Sequence, residues 1–302
     1  MKQILLSLLL LCSLGISAQT TVVTRQKKQQ TTTTAPKQNS SQKPAKKKQS
    51  ASTTQPKPQS KPTVPRVTAS YSNGTLTVNG ANYPMVYVQA GTFTMGATSE
   101  MEDPLDYEKP THQVTLTYDY YIGKTEVTQA LWKAVMGNNP SEFKGDNLPV
   151  ESVSWNDCQK FISKLNSMTG QSFRLPTEAE WEFAARGGNY SNHYQYSGSN
   201  KLGDVAWYDG NSGMKTHAVA TKQPNELGLY DMSGNVWEWC SDWYGKYRSS
   251  SQTNPTGPSS GSGRVFRGGG FFDAGYCRSS FRNYDAPDYS PSIPGLRLVL
   301  VP

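Results

Sequence analysis

Residues 67–302 are predicted to form one domain in which short helices and strands are separated by long irregular segments. Hairpin signals lie between residues 72 and 88, and three apolar stretches between residues 128 and 186 each follow a helix start signal. Residues 188–302 show no comparable period and are rich in Gly, Asn, Asp, Ser and Tyr. Such a long irregular stretch argues against a helical bundle or a β-sandwich. Buried aromatic residues, a metal ion or a disulfide must therefore organise these loops.

Two short strands are predicted at the start of this domain. Asn-Gly turns at residues 73–74 and 79–80 border the alternating runs 76–78 and 85–88, which is the pattern of β-hairpins. Later strands are expected at residues 92–95, 114–121, 237–240, 265–267 and 296–301.

Three helices are predicted from their capping residues. Thr128, Ser154 and Thr177 are each suited to the N-cap position, and Glu180 completes a capping box with Thr177. The predicted helices span residues 129–136, 155–168 and 178–186. Glycine follows each of them, which favours helix termination.

The first 18 residues are predicted to be a signal peptide. Lys2 precedes an apolar run at residues 4–14, and Ala18 supplies a small residue before the expected cleavage. The run is too short to span a bilayer comfortably, although an uncleaved segment would act as an anchor. We therefore expect an exported protein that is periplasmic, attached to the cell surface or secreted.

Residues 19–66 are predicted to be a disordered basic linker. They consist mainly of Thr, Gln, Lys, Ser and Pro, with eleven Lys and Arg and no acid. Outside this linker and Lys2, 18 bases and 23 acids remain, so residues 67–302 carry −5 although the whole chain carries +7. Because the bases are spread out without interleaved aromatic residues, nucleic-acid binding is not expected. The linker is either a solvated spacer or an arm for an anionic envelope polymer.

Three cysteines follow the predicted signal peptide, namely Cys158, Cys240 and Cys277. In an exported chain this number permits one disulfide and leaves one free thiol. Their spacing, together with the three scattered histidines, fits neither a CxxC motif nor a zinc site.

Seven short motifs follow one another along the domain. They are Met95-Gly96, KTEVT at 124–128, PVESVSW at 149–155, RLPTEAEWE at 174–182, GLYDMSGNVWEW at 228–239, Arg267-Gly268-Gly269 and GLRL at 295–298. In this order they resemble the formylglycine-generating enzyme family, also called the sulfatase-modifying factor family, over residues 85–301. The resemblance implies an α+β fold with little regular secondary structure, related to C-type lectins.

The resemblance also implies copper chemistry in those members that oxidise a substrate cysteine to formylglycine. They hold copper through two cysteines five residues apart, shortly after the Arg-Gly-Gly motif, and paired thiolates suit Cu(I). Here Cys277 resembles the second cysteine, but Phe272 stands five residues before it, and a one-residue gap places Asp273 there. One thiol beside a carboxylate is a poor Cu(I) site. Copper is therefore not expected, and Cys277 is the remaining candidate catalytic residue.

A disulfide is predicted between Cys240 and Cys277. Both lie in the loop-rich half of the domain, and an oxidising compartment favours pairing. The alternative is a reduced, reactive Cys277. Cys158 lies within a predicted helix and is expected to be a small buried apolar residue.

The loop that contains Asp231 carries the better chemical signal. Calcium takes six to eight oxygens from carboxylates and from carbonyls of irregular loops. Asp231 and Glu238 supply carboxylates, and Gly234 and Val236 match positions where the family offers carbonyls. The resemblance therefore implies one structural Ca2+. The alternative is a hydrogen-bonded turn with Asn235 in a left-handed conformation.

Arginines and tryptophans cluster around the same motifs. The arginines form internal ion pairs or line a groove for an anionic ligand, and the sequence favours neither; they are Arg267, Arg278, Arg282 and Arg297. The tryptophans are expected in the core rather than stacked on sugar or peptide, and they are Trp181, Trp237, Trp239 and Trp243.

Three functions are compatible with these features. The first is a noncatalytic binding or scaffold module at the cell envelope, with an exported protein or an envelope component as its partner. The second is a formylglycine-generating oxidase that acts on exported sulfatases. The third is a calcium-dependent glycan binder.

Overall fold

The computed structural model describes residues 68–289 and 294–302. The predicted signal peptide and the whole of the predicted linker lie outside the described residues. The described residues contain twelve strands: β1 (Ala69–Ser72), β2 (Thr75–Val78), β3 (Ala81–Val88), β4 (Gly91–Met95), β5 (His112–Leu116), β6 (Tyr120–Gly123), β7 (Trp237–Trp243), β8 (Gln252–Thr253), β9 (Arg264–Arg267), β10 (Arg282–Asp285), β11 (Pro294–Gly295) and β12 (Val299–Leu300). The α-helices in the same residues are α1 (Gln129–Met136), α2 (Trp155–Thr169), α3 (Glu178–Ala185) and α4 (Leu202–Val205).

The largest sheet of the described residues has the strand order β1-β2-β3-β6-β12 and is antiparallel throughout. Strand β2 pairs with β3 through the Asn-Gly turn at residues 79–80, so the predicted hairpin is confirmed. Strand β12, from the C-terminal segment, pairs with β6, about 180 residues earlier in the chain. The edge of the sheet is therefore completed by residues distant in sequence.

Two smaller sheets contain the remaining strands. One has the order β10-β9-β7-β11, and the other has the order β4-β5-β8. The predicted strand at residues 114–121 is wrong as a single strand, because residues 112–116 pair with β4 and residues 120–123 pair with β3 in a different sheet. The intervening Thr117 and Asp119 leave the ladder, since Asn254 binds the Thr117 amide and Asp119 binds the Ala90 amide.

The three predicted helices are confirmed together with their caps. The side chains of Thr128, Ser154 and Thr177 accept hydrogen bonds from the backbone amide three residues later, as N-caps do. Asp157 in α2 and Glu180 in α3 complete capping boxes. Helices α1 and α2 end at glycines with left-handed backbone conformations.

The core consists of two clusters. The first packs α1 and α2 against the largest sheet, with Trp132 stacked on Phe161 at a centroid distance of 4.9 Å. The second surrounds α3, all of whose residues are buried. Trp181, Trp237 and Trp239 are buried as predicted, whereas Trp243 is half-buried. No α-helix within the described ranges has the length and apolar character required to cross a membrane.

Candidate functional site

Cys277 is a buried thiol in the loop between β9 and β10. Its Sγ donates to the carbonyl of Asp273 at 2.7 Å, and its own carbonyl accepts from Ser233 Oγ at 2.8 Å. Gly269 permits this packing, because a Cβ there would lie 2.8 Å from Cys277 Sγ. Burial raises the pKa of the Cys277 thiol well above its ordinary value, and the nearby Asp273 and Asp209 raise it further. Nucleophilic attack and metal binding both require the thiolate, so this environment opposes them.

Asp273 is a buried carboxyl next to this thiol. Its Oδ2 accepts from Trp237 Nε1 at 3.0 Å, and burial raises its pKa to about 7, with Asp209 adding to the rise. Phe272 is half-buried and its ring contacts Phe271 edge-on. In this loop Cys277 therefore contacts the backbone carbonyl of Asp273, whereas the Asp273 carboxyl is bonded by the Trp237 indole.

The predicted disulfide between Cys240 and Cys277 is absent, and both residues are free thiols. Cys240 lies in the middle of β7 and packs in the core cluster around α3. Cys277 points instead to the carbonyl of Asp273 in its own loop. The two thiols therefore contact different parts of the protein and not each other. Cys158 is fully buried in α2, as predicted for a small apolar residue.

The loop before β7 holds Asp231 with one free oxygen. Its backbone has a φ of 58°, and its Oδ2 accepts from the Ala220 amide at 2.7 Å, but its buried Oδ1 has no hydrogen-bond partner. Gly234 leaves no room for a side chain, because a Cβ there would lie 2.4 Å from the carbonyl of Trp207. Asn235 has a φ of 58° and binds the backbone of His217 through its side-chain amide. The loop therefore has the left-handed turn of the alternative interpretation.

Glu238, the other predicted carboxylate ligand, is engaged by protein groups. Both of its oxygens accept from the guanidinium of Arg297 at 2.6–3.1 Å, and Oε2 also accepts from Trp181 Nε1 at 2.7 Å. A carboxylate oxygen has further lone pairs, so these bonds orient Glu238 without using all of its capacity.

Glu126 is a carboxylate of this region that the sequence analysis did not identify. It is fully buried, and neither of its oxygens has a hydrogen-bond partner. Burial raises its pKa well above the ordinary value, and the neighbouring Asp231 raises it further. Burial likewise raises the pKa of Asp231 to about 6. Two adjacent buried carboxyls with free oxygens require either a shared proton or a cation.

The free oxygens of this region are of the type that calcium binds, namely carboxylate and carbonyl oxygens. Asp231 Oδ1 and the two oxygens of Glu126 are buried and unpartnered, and an irregular loop supplies carbonyls beside them. Among the described residues no three Asp, Glu, His or Cys side chains are arranged to hold a metal. A calcium ion here would therefore depend on backbone carbonyls as well as on side chains.

The four arginines form internal ion pairs with buried glutamates. The pairs are Arg267 with Glu182, Arg282 with Glu178, Arg278 with Glu108, and Arg297 with Glu238. All eight residues are buried. Of the two interpretations that the sequence left open, the structure shows the ion pairs.

A protein-family comparison identifies this arrangement. Residues 73–301 match the sulfatase-modifying factor enzyme 1-like domain. The chain belongs to the sulfatase-modifying factor family. The predicted family and its α+β fold with few helices are thereby confirmed.

Among curated relatives of this family member, the chaperone protein LppX of Paenibacillus barcinonensis is 34% identical over 256 residues, which cover 68% of this chain and 83% of LppX. The formylglycine-generating enzyme of Thermomonospora curvata is 36% identical over 58% of this chain, and that of Mus musculus is 37% identical over 62%. The alignments cover 63% and 52% of those two enzymes.

Two solved structures share the fold of this sulfatase-modifying factor domain. Treponema denticola variable protein 1 is 36% identical, with a TM-score of 0.69 over 76% of this chain and 98% of its own. PvdO from Pseudomonas aeruginosa is 25% identical, with a TM-score of 0.62 over 72% of this chain and 94% of its own.

Proposed function

We propose that this sulfatase-modifying factor domain is a noncatalytic binding module that acts on an exported protein. The observation that carries the proposal is that Asp273, and not a second cysteine, shares the loop of Cys277, whose Sγ donates to the Asp273 backbone carbonyl. Cu(I) is a soft ion that prefers thiolates to carboxylates. Cys277 is also fully buried, and the raised pKa of its thiol keeps it protonated near neutral pH.

The likeness to LppX supports a protein partner. LppX is named as a chaperone, and this chain covers 83% of it. A chaperone binds another polypeptide without changing its covalent structure, which is compatible with a family domain that lacks the second thiol. The partner of this chain would be an exported protein or another component of the cell envelope, in keeping with the predicted signal peptide.

Copper binding and turnover test this proposal together. The purified domain is incubated with Cu(I) and with a peptide that contains the cysteine sequence of a sulfatase. We expect no stoichiometric Cu(I) and no conversion of the peptide cysteine to an aldehyde by mass spectrometry. One tightly bound Cu(I) that is lost in Cys277→Ser, together with peptide conversion, would establish the oxidase instead.

The Asp273→Cys variant provides a matched positive control. It places a second thiol beside Cys277, whose Sγ already contacts the Asp273 carbonyl. We expect this variant to bind Cu(I) more tightly than the parent protein, because two thiolates suit the ion. The Asp288→Cys variant, which carries its new thiol on the exposed surface, controls for the additional cysteine.

We also propose one structural Ca2+ in this module. Asp231, Glu238 and the carbonyls of Gly234 and Val236 would hold it, with Glu126 as a further carboxylate. The free buried oxygens of Asp231 and Glu126 support this assignment. The ion would join the segment after β6 to the loop before β7.

Chelation tests the calcium proposal independently of catalysis. A ligand bound by the native state alone adds stability, so EGTA should lower the melting temperature of the parent protein, and added Ca2+ should restore it. The Glu126→Gln variant should bind Ca2+ more weakly by calorimetry. An unchanged melting temperature at saturating EGTA, with no heat of Ca2+ binding, would show that Glu126 and Asp231 share a proton instead.

A further inference from the structure

A cavity with both polar and apolar lining lies at the opposite end of β7 from Cys277 and Asp273. Asp242 lines it, whereas Trp237, which binds Asp273, is five residues earlier in the same strand. At ~3.3 Å per residue the two positions are ~17 Å apart. The cavity has a volume of about 530 Å³, which lies within the range for small-molecule sites.

The inner end of the cavity is built from Asp242, His112 and Tyr247. Asp242 Oδ2 accepts from the Glu178 amide at 3.0 Å and from Ser241 Oγ at 2.9 Å. The His112 ring packs edge-on against Tyr247 with a centroid distance of 4.8 Å, and its Nδ1 lies 3.3 Å from the carbonyl of Pro110. These contacts fix the side chains before any ligand enters.

The charge inside the cavity is largely balanced by groups of the protein. Glu178 also lines it, but both of its oxygens accept from Arg282 at 2.6–2.7 Å, and Arg267 Nε lies 3.5 Å away. Burial raises the pKa of Asp242 to about 7, so its carboxyl is partly neutral near physiological pH. The acids of the inner wall therefore do not provide a strong site for a cation.

The outer wall carries cations without such partners. Lys246 and Arg248 line the cavity from the loop after β7, and both side chains are exposed and form no ion pair within the described residues. The loop itself is anchored, because Arg282 donates to the carbonyl of Gly245 at 2.7 Å and β8 pairs with β5. Two exposed cations thus line the cavity from an anchored loop.

We propose that this cavity binds a small anion that carries a carboxylate or a phosphate group. Lys246 and Arg248 supply charge-assisted hydrogen bonds to the anionic group. His112 also lines the cavity. Tyr247 and Met95 provide apolar surface for the rest of the ligand.

Inorganic phosphate and succinate are the probes for the test, because the first carries a phosphate group and the second carries carboxylates. Each is titrated into the full mature chain at constant ionic strength, with calorimetry and the melting temperature as readouts. We expect one probe or both to bind and to raise the melting temperature. If neither probe produces binding heat or a stability shift at tens of millimolar, the proposal is overturned.

The Lys246→Ala/Arg248→Ala double variant locates the binding. Both residues are exposed, so the fold is retained, and we expect the affinity to fall about tenfold or more with the loss of two charged donors. The Lys164→Ala/Lys215→Ala double variant removes the same charge from exposed positions outside the cavity and should bind like the parent. Equal weakening in both double variants would show general charge attraction and would overturn the assignment.

Discussion

At the scale of single residues, burial decides the protonation of the groups that look most reactive in the sequence. Cys277, Asp273 and Asp242 are all buried, and burial is the largest cause of the raised pKa of each. Burial thereby favours the neutral forms of these residues, and the two carboxyls, with pKa values of about 7, are partly neutral near physiological pH. Raised pKa values of this kind occur both in active sites and in structural networks, so they do not distinguish a catalytic from a noncatalytic domain. The proposal of a noncatalytic domain rests instead on the single thiol in the loop of Cys277.

Alkylation measures the state of the thiols directly. We expect iodoacetamide at pH 7.5 to leave Cys158, Cys240 and Cys277 unmodified in the native protein, because all three are buried and burial raises the pKa of each. In urea without reductant, all three should react, as counted by intact-mass spectrometry. Selective native labelling of Cys277 would point to a reactive thiol, and protection of a pair in urea would point to a disulfide.

Asp242 should make stability depend on pH. Its pKa rises from 3.8 in the unfolded chain to about 7 in the fold, so the native state keeps a proton that the unfolded chain has lost. Its contribution to the unfolding free energy therefore falls as the pH rises from about 4 to about 7, by up to ~1.4 kcal/mol per pH unit.

Urea unfolding between pH 5 and pH 8 measures this dependence. Asp242→Asn should flatten the profile, since an amide cannot ionise but still offers an oxygen to the Glu178 amide. Asp288→Asn, an exposed control, should keep the parental profile. Parallel profiles for the parent and Asp242→Asn would contradict this assignment.

The site was predictable from the sequence wherever the information was local. Asp273 was found because it lies four residues before Cys277, and Asp231 was found within a continuous motif. Glu126 was missed because its neighbour Asp231 is 105 residues away, and only the fold brings their carboxyls together. The lack of a Cys240–Cys277 disulfide was also not predictable, because the fold determines which groups each thiol contacts.

At the scale of elements, α3 is unusual because it is buried on all sides although it contains three glutamates. Glu178, Glu180 and Glu182 are paired with arginines from other parts of the chain or from the end of the helix. The Thr177 cap predicts this helix from the sequence. The sequence does not show that the glutamates of the helix are buried under arginines. Two of these arginines, Arg267 and Arg282, come from β9 and β10, and their pairing with the helix is not local.

Breaking one of these pairs should strongly destabilise the domain. Glu182 accepts from Arg267, from Arg186 Nε at 2.9 Å and from the Gly96 amide at 2.9 Å. Glu182→Gln leaves the fully buried Arg267 without its nearest countercharge, so the unfolding free energy should fall by about 3–5 kcal/mol. Glu142→Gln, at an exposed position, is the control in the same urea titration, and a similar small change in both variants would refute the prediction.

At the scale of the whole molecule, the charge of the chain divides into two opposite parts. The eleven bases of residues 19–66 precede a domain with a net charge of −5, so the total of +7 describes neither part. Any attraction to a polyanion therefore depends on the linker. The folded domain should contribute little to it.

Removal of the linker tests this separation. We expect residues 19–302 to be retained on immobilised poly-glutamate at low salt and to elute as salt is raised, whereas residues 67–302 should pass through. Both proteins should melt at the same temperature, because every described strand and helix lies within the shorter protein. Retention of the shorter protein would show that the domain itself carries the attraction.

The pairing of β12 with β6 has a consequence for biosynthesis. Residues 299–300 complete a sheet whose other strands end at residue 123, and Arg297 joins the carbonyl of Gly123 to Glu238. A ribosome must therefore add about 175 further residues after β6 before this sheet can close, which at ~5–20 residues per second takes ~10–35 s. During that interval β6 lacks its native neighbour β12, and its backbone hydrogen-bonding groups on that side are open to pairing with other strands.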